Sequence, residues 1–315
     1  MNSFEHPPSF ASFEDPVAGE GEVLVQMAAS ALSNLVKSQV AGRHYSSKAI
    51  FPFVAGVDGV GRLADGRRTY FAFPRAPFGS LAQTVPVRPE LCAPVPDDVD
   101  DVTAAAMANP GMSSWAALTA RAKFVRGEAV LVNGATGVSG RLAVQIAKHL
   151  GARTVIATGR NAQTLEMLPG LGADAVISLA EPGPNLIETF RRTLRAQKID
   201  VILDYLWGAS AEALMAAVAG DGSGRDAPRI RFVQIGASSA PTLTLAGGTL
   251  RSSGLELLGS GIGSVSSVAL VDIIKDVLQA VGPAKLQIDV ESRPLETVEA
   301  AWNADTGSRR LVFTF

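Results

Sequence analysis

Apolar and polar positions change their rhythm along the chain, and the change separates two kinds of structure. Before Pro94 the apolar positions come in short runs. Glu22–Ala28 alternates and reads as a strand, and Phe53–Gly61, Thr69–Phe73 and Ser80–Val87 are brief β-like runs divided by Gly, Pro and Asp. This pattern predicts a twisted antiparallel sheet or small barrel, with Ser33–Lys37 as a polar, irregular link. Past Pro94-Val95-Pro96-Asp97-Asp98 the spacing becomes helical over Val102–Ala108 and Ser113–Arg121, the second helix capped by Ser113 or Ser114.

From Glu128 onward, strand-like and helix-like segments alternate: Val130–Asn133, Arg141–Leu150, Thr154–Thr158, Ala162–Leu168, Ala175–Ser178, Leu186–Arg195, Val201–Asp204, Ala211–Ala219 and Arg231–Ile235. Such alternation predicts an α/β architecture, a doubly wound parallel sheet with helices on both faces. Leu255–Gly259 closes that sheet or forms its exposed edge. Val268–Ala280 is an amphipathic helix, and Ile288–Ser292, a helix near Leu295–Asn303 and Leu311–Phe315 are too short to add another βαβ unit. They are expected to return to the N-terminal sheet. The expected division is therefore residues 1–112 with 263–315 as a discontinuous, mostly β domain, and 113–262 as a continuous α/β domain.

Between the strand Ala129–Val132 and its following helix lies Ala135-Thr136-Gly137-Val138-Ser139-Gly140. This turn fits the dinucleotide pattern G-x-G-x-x-G with alanine in the first place, and Gly134 adds slack. The first small residue permits the sharp turn, Gly137 lets the backbone approach a pyrophosphate, and Gly140 lets the helix pack on the strand. Negative charge is favoured at the helix start by free N–H groups and the macrodipole.

Composition narrows the partners. The chain has 315 residues, 47% hydrophobic and 18% charged, with a formal charge of -2. It lacks the broad basic field that nucleic acid or an anionic membrane surface needs, so a small-molecule substrate is favoured. Cys92 is the sole cysteine, which rules out an intramolecular disulfide and a cysteine-built zinc site. A cytoplasmic setting is expected, since no segment reads as a signal peptide or a membrane span.

Several motifs together resemble the medium-chain dehydrogenase/reductase superfamily, in its zinc-free quinone oxidoreductase (zeta-crystallin-like) branch, over nearly the whole chain. Phe53–Gly61 resembles P-x-x-x-G-x-D-x-x-G, Gly79-Ser80-Leu81-Ala82-Gln83 resembles G-G-Y-A-E, and Ala135–Gly140 resembles A-x-G-x-x-G. Leu171–Ile177 and Gly236-Ala237-Ser238-Ser239 match later landmarks of the family. The resemblance implies a GroES-like catalytic domain, a Rossmann domain and hydride transfer from NADPH. It also implies that Ile235, Gly236 and Ala237 lie at one strand end beside the nicotinamide, with Tyr205 and Leu206 at another.

Departures from the family pattern bear on the chemistry. The G-H-E of its zinc enzymes reads Gly56-Val57-Asp58 here, and His6, His44 and His149 show no metal-ligand spacing, so no metal site is expected. Its N-P-x-D motif reads Ser33-Asn34-Leu35-Val36, without the acid, although Ser33 and Asn34 remain substrate-side candidates. Tyr45 is the candidate hydrogen-bond donor to substrate.

The end of the second strand, where NAD enzymes place an acid on the ribose, reads Ala157-Thr158-Gly159-Arg160-Asn161. The Arg160 fork suits a phosphate, and Thr158, Gly159 and Asn161 accompany it in the expected NADPH site. The expected activity is zinc-independent reduction of a quinone or an α,β-unsaturated carbonyl compound by a homodimer. An enoyl-type reductase of a biosynthetic pathway and a non-catalytic NADPH-binding sensor remain open alternatives.

Overall fold

A computed structural model describes residues 1–47, 50–180, 184–219 and 228–315. Two units divide the chain, Met1–Asn109 with Ser266–Phe315, and Pro110–Val265.

The discontinuous unit is built around β1 (Val23–Ala31), whose alternating side chains send Val25 and Met27 into a core with Phe71, Val85 and Val87. β1 pairs antiparallel with β2 (Asp58–Arg62), β4 (Thr84–Val87) and β13 (Arg310–Thr314). β3 (Arg68–Ala72) follows β2, β5 (Cys92–Pro94) follows β3, and β12 (Val290–Pro294) lies parallel to β13. The C-terminal strands thus complete the N-terminal sheet. Phe53–Val57 and Ser80–Gln83 fall outside the strands, contrary to the β-like pattern. There the two segments meet through scattered backbone bonds, Leu81 N–H to the Ala55 carbonyl at 2.9 Å and Ser80 N–H to that of Gly56 at 3.3 Å, and pack closely enough that a Cβ at Gly79 would lie 2.1 Å from the Val54 carbonyl oxygen.

Two helical expectations also change. The link Ser33–Lys37 is not irregular, because α1 spans Asn34–Val40 with Ser33 as its N-cap; the Ser33 hydroxyl accepts from Val36 N–H at 3.0 Å. Val36 and Val40, one turn apart, bury the helix against Leu295, Trp302 and Phe313. Val102–Ala108 and Ser113–Arg121 are not separate helices. One helix, α2 (Asp101–Ala116), runs through Pro110 into a π-helical turn at Ala117–Arg121. Neither serine caps a new helix; Ser113 Oγ donates to the Pro110 carbonyl at 2.7 Å and Ser114 Oγ to that of Gly111 at 3.1 Å. These back-bonds run to carbonyls of the turn that follows the proline, as mid-helix serines commonly make them.

The continuous unit carries β6 (Ala129–Asn133), β7 (Thr154–Gly159), β8 (Ala175–Ser178), β9 (Val201–Asp204), β10 (Arg229–Gln234) and β11 (Gly254–Gly259). Every pairing is parallel, in the order β11-β10-β9-β6-β7-β8. Its helices are α3 (Val138–His149), α4 (Ala162–Met167), α5 (Pro184–Gln197), α6 (Ala209–Val218) and α7 (Gly247–Arg251), while α8 (Ser267–Ala280) and α9 (Val298–Ala301) belong to the other unit. The core of one sheet face joins Phe190, Leu194 and Leu214 to Leu131, Ile202 and Phe232. This is the doubly wound sheet that the alternation predicts. Strand order runs outward one way from β6 and the other way from β9, and the carboxyl ends at such a reversal are where open α/β sheets bind ligands.

Candidate functional site

At that reversal, β6 gives way to a turn made by Gly134 at φ +91°. The Ala135 N–H donates to the Thr158 carbonyl at 2.7 Å, which ties the turn to β7. Gly137 is the N-cap of α3, with φ -80° and ψ 166°. A Cβ there would meet nothing nearer than the Gly134 oxygen at 3.9 Å, so the backbone faces open space. A Cβ at Gly140 would lie 2.3 Å from the Gly134 oxygen and 2.6 Å from Ala135 Cα; the helix seats on the strand there. Val138 opens α3, and no acidic residue occupies its first described turn. The N–H groups at this end are therefore suited to an anion.

A buried polar network fixes the ends of three strands beneath this turn. Asn133 Nδ2 donates to Asp204 Oδ1 at 2.7 Å and to Ser210 Oγ at 2.9 Å. Thr158 Oγ1 donates to Asn133 Oδ1 at 2.7 Å and accepts from Gly134 N–H at 3.2 Å. Thr158 is fully buried, so the expectation that its hydroxyl serves a ribose is corrected: that hydroxyl is committed within the protein. The Asp204 carboxylate also accepts from Leu206 and Trp207 N–H, at 3.1 and 3.0 Å. Burial pushes the Asp204 carboxyl up to about 6, against the pull of these donors.

The remaining candidates of this unit gather at the same strand ends. A Cβ at Gly159, which ends β7, would lie 2.2 Å from Thr136 Cγ2, so the two segments touch. Arg160 is exposed, and its guanidinium meets no partner among the described residues. Asn161 caps α4 through its side-chain oxygen, accepting from Thr164 N–H at 2.8 Å. Only its amide nitrogen remains to offer a ligand.

Leu206 lies against Gly134, and the Tyr205 hydroxyl pairs with Ser113 Oγ at 3.1 Å. Burial drives that phenol up to about 12, with Ser113 and Ser114 acting the other way. Ile235 and Gly236 both donate to the Asp204 carbonyl, at 2.8 and 3.1 Å. Ile235 lies half-buried just past β10, and Ala237 is exposed.

Ser33, Asn34 and Tyr45 belong to the other unit. Ser33 is buried and spends its hydroxyl as a cap, whereas Asn34 is exposed. Tyr45 is 72% exposed, with its ring 4.1 Å from that of His44. The position matching G-H-E carries Asp58, fully buried, accepting from the Tyr70 hydroxyl at 2.6 Å. Burial raises the Asp58 carboxyl to about 6. Among the described residues, no group of three or more His, Cys, Asp and Glu side chains forms a metal cluster, and no helix is long and apolar enough to cross a membrane.

Sequence reasoning missed Asn133, Asp204 and Ser210. The available signal was one polar residue ending each of two otherwise apolar strands.

Comparison with known proteins places these features in context. Residues 139–275 match the family model described as zinc-binding dehydrogenase. A probable NADPH-dependent quinone reductase of Emericella nidulans, tdiC, is 27% identical over 97% of this chain and 96% of its own length. A mycocerosic acid synthase-like polyketide synthase of Mycobacterium tuberculosis is 28% identical over 72% of this chain, which spans 10% of that synthase. Among solved structures, the quinone oxidoreductase of Thermus thermophilus, also determined with NADPH, superposes with a TM-score of 0.81 at 26% identity, covering 100% of this chain and 98% of that one.

Proposed function

The chain belongs to the medium-chain dehydrogenase/reductase superfamily, in its quinone oxidoreductase-like branch, and we propose that it reduces quinones or α,β-unsaturated carbonyl compounds with NADPH and without zinc. It is an NADPH-dependent oxidoreductase, and its two units are the superfamily's GroES-like and Rossmann domains. The observation that carries the cofactor reading is the convergence at the strand ends of an open-faced Gly137, an acid-free helix start and an Arg160 fork without a partner among the described residues.

In this reading Ala135, Thr136, Gly137, Val138 and Gly140 hold the pyrophosphate, and Gly159, Arg160 and Asn161 hold the phosphorylated ribose. Tyr205, Leu206, Ile235, Gly236 and Ala237 border the nicotinamide. NADPH supplies the hydride. The protein's task is to fix the strand ends, through the Asn133–Thr158–Asp204 network, and to keep water from the reacting carbon. Ser33 and Asn34 stand on the substrate side as helix cap and first helical residue. Zinc independence is supported by the chemistry of the aligned positions: Val57 offers no ligand atom, and the Asp58 carboxylate is sequestered by Tyr70.

Arg160→Glu tests the cofactor assignment, since it puts a like charge where the 2′-phosphate would lie. The NADPH/NADH affinity ratio, read by titrating the fluorescence of each nucleotide, should fall at least tenfold; an unchanged ratio removes Arg160 from the site. The match to a polyketide synthase favours a second reading, reduction of an enoyl thioester. Following NADPH oxidation with a quinone, an alkenal and an enoyl thioester separates the readings. Binding of NADPH without turnover on any of them overturns both.

A further inference from the structure

Asp204 ends β9, and its polar atoms reach three stretches of chain. On the side chain, Oδ1 accepts from Asn133 Nδ2 at 2.7 Å and from Leu206 N–H at 3.1 Å, while Oδ2 accepts from Trp207 N–H at 3.0 Å. On the main chain, its carbonyl accepts from Ile235 and Gly236 N–H at 2.8 and 3.1 Å. One buried residue therefore ties the segment after β9 to the segment after β10. Further bonds join those segments directly: Ser238 Oγ donates to the Tyr205 carbonyl at 2.9 Å, and Ser239 N–H to that of Leu206 at 2.8 Å.

The donors fix the direction of every bond to the carboxylate. Gly134 N–H points at Thr158 Oγ1, so the threonine proton goes on to Asn133 Oδ1, and the Asn133 amide must present its nitrogen to Asp204. Turning that amide over would set its oxygen against a carboxylate oxygen. Trp207 is the member most in need of its bond. Its φ of +59° lies in the left-handed region that bulky residues seldom adopt, and Gly208 follows at φ +66°. An N–H aimed at a carboxylate oxygen makes a charge-assisted bond, and here it holds Trp207 in that conformation.

We propose that Asp204 is a positioning residue for hydride transfer: it sets the ends of β9 and β10 so that a nicotinamide seated there presents its reactive carbon in one orientation. This rests on the reductase reading above, in which Tyr205, Leu206, Ile235 and Gly236 border that ring. In the hydride step the acceptor gains hydride with its electron pair, a proton from water completes the product, and NADPH leaves as NADP⁺. Affinity in the same reading comes chiefly from the phosphate-binding turn and Arg160, so a looser ring edge lowers rate rather than binding. Asp204→Asn isolates the effect. Whichever way its amide turns, one former acceptor becomes a donor facing an N–H. The less costly orientation keeps the oxygen toward Asn133 and Leu206 and sets the new NH₂ against Trp207 N–H alone. The Gly134–Thr158–Asn133 side is then retained while Trp207 is released.

Hydrogen exchange in the wild-type protein without NADPH gives the first test. The amides of Trp207, Ile235 and Gly236 should be protected about 100-fold relative to an unstructured chain, and Asp204→Asn should lose that protection at Trp207 while the other two, bonded to the backbone carbonyl, keep it. Rapid exchange at Trp207 in the wild type overturns the inference before any activity is read. The second test is kinetic. In Asp204→Asn, single-turnover hydride transfer to a quinone should slow about 10- to 100-fold, while the NADPH Kd, read from nucleotide fluorescence, stays within about threefold. An unchanged rate, or a loss of affinity as large as the loss of rate, overturns the positioning role and leaves the reductase reading intact. A wild type that reduces no quinone, alkenal or enoyl thioester overturns both.

Discussion

Every group bonded to the Asp204 carboxylate is a donor: Asn133 Nδ2 and the N–H groups of Leu206 and Trp207. Burial nevertheless outweighs them and leaves the carboxyl at about 6 rather than 3.8. A carboxyl raised in this way binds its proton more tightly in the folded chain than in the unfolded one. Between 3.8 and about 6 the folded state therefore holds the extra proton, and stability falls as pH rises through that window. One such group accounts for about 3 kcal/mol. Asp58 is raised to about 6 as well, so the comparison must be with Asp204→Asn, in which the Asp58 contribution cancels. Urea unfolding of both proteins should show the wild-type advantage shrinking by about 3 kcal/mol between about pH 3.5 and 6.5. A difference that stays level across that range would mean the carboxylate is not desolvated as its burial implies.

The β6–α3 junction separates two uses of glycine. At Gly140 an added methyl would strike the Gly134 oxygen and Ala135 Cα, so Gly140→Ala must push the helix off its strand, at a cost of about 1–3 kcal/mol. At Gly137 the same methyl enters open space with an ordinary backbone, so Gly137→Ala spares the fold and obstructs only the ligand. Calorimetric titration should find NADPH binding weakened in both variants, with Tm lowered in Gly140→Ala alone. An equal loss of Tm in the two would contradict this division. The junction was legible in the sequence because an apolar strand, a small-residue turn and a periodic helix follow one another locally. The network beneath it was not: Asn133 and Asp204 are 71 positions apart, and nothing local reveals that their strands are neighbours. α1 escaped notice because only Val36 and Val40 are buried along it. Pro110 reads as a break, yet α2 continues through it while Ser113 and Ser114 bond carbonyls nearby.

For the whole molecule, β11 is an edge of the parallel sheet among the described residues, with Leu257 40% exposed upon it. A cleft of about 390 Å³ beside it is lined by Trp207, Phe232, Pro241 and Leu257. This six-residue edge, Gly254–Gly259, exposes Leu257 beside Glu256, and a second copy pairing along it is the homodimer reading. Sedimentation velocity at micromolar concentration should find a dimer that Leu257→Lys converts to monomer; a monomeric wild type would remove the reading. The other sheet has a different dependence. Ala29–Ala31 of β1 is paired by Val312–Thr314 of β13, nearly the full length of the chain away. On the ribosome, the strands of Pro110–Val265 have all been made once Gly259 has emerged, whereas the Ala29–Ala31 end of β1 must wait for β13. A message truncated before Arg310 would therefore yield a chain whose parallel sheet is complete while the Ala29–Ala31 end of β1 lacks its β13 partner, a substrate for chaperones and proteases rather than a slightly shorter enzyme.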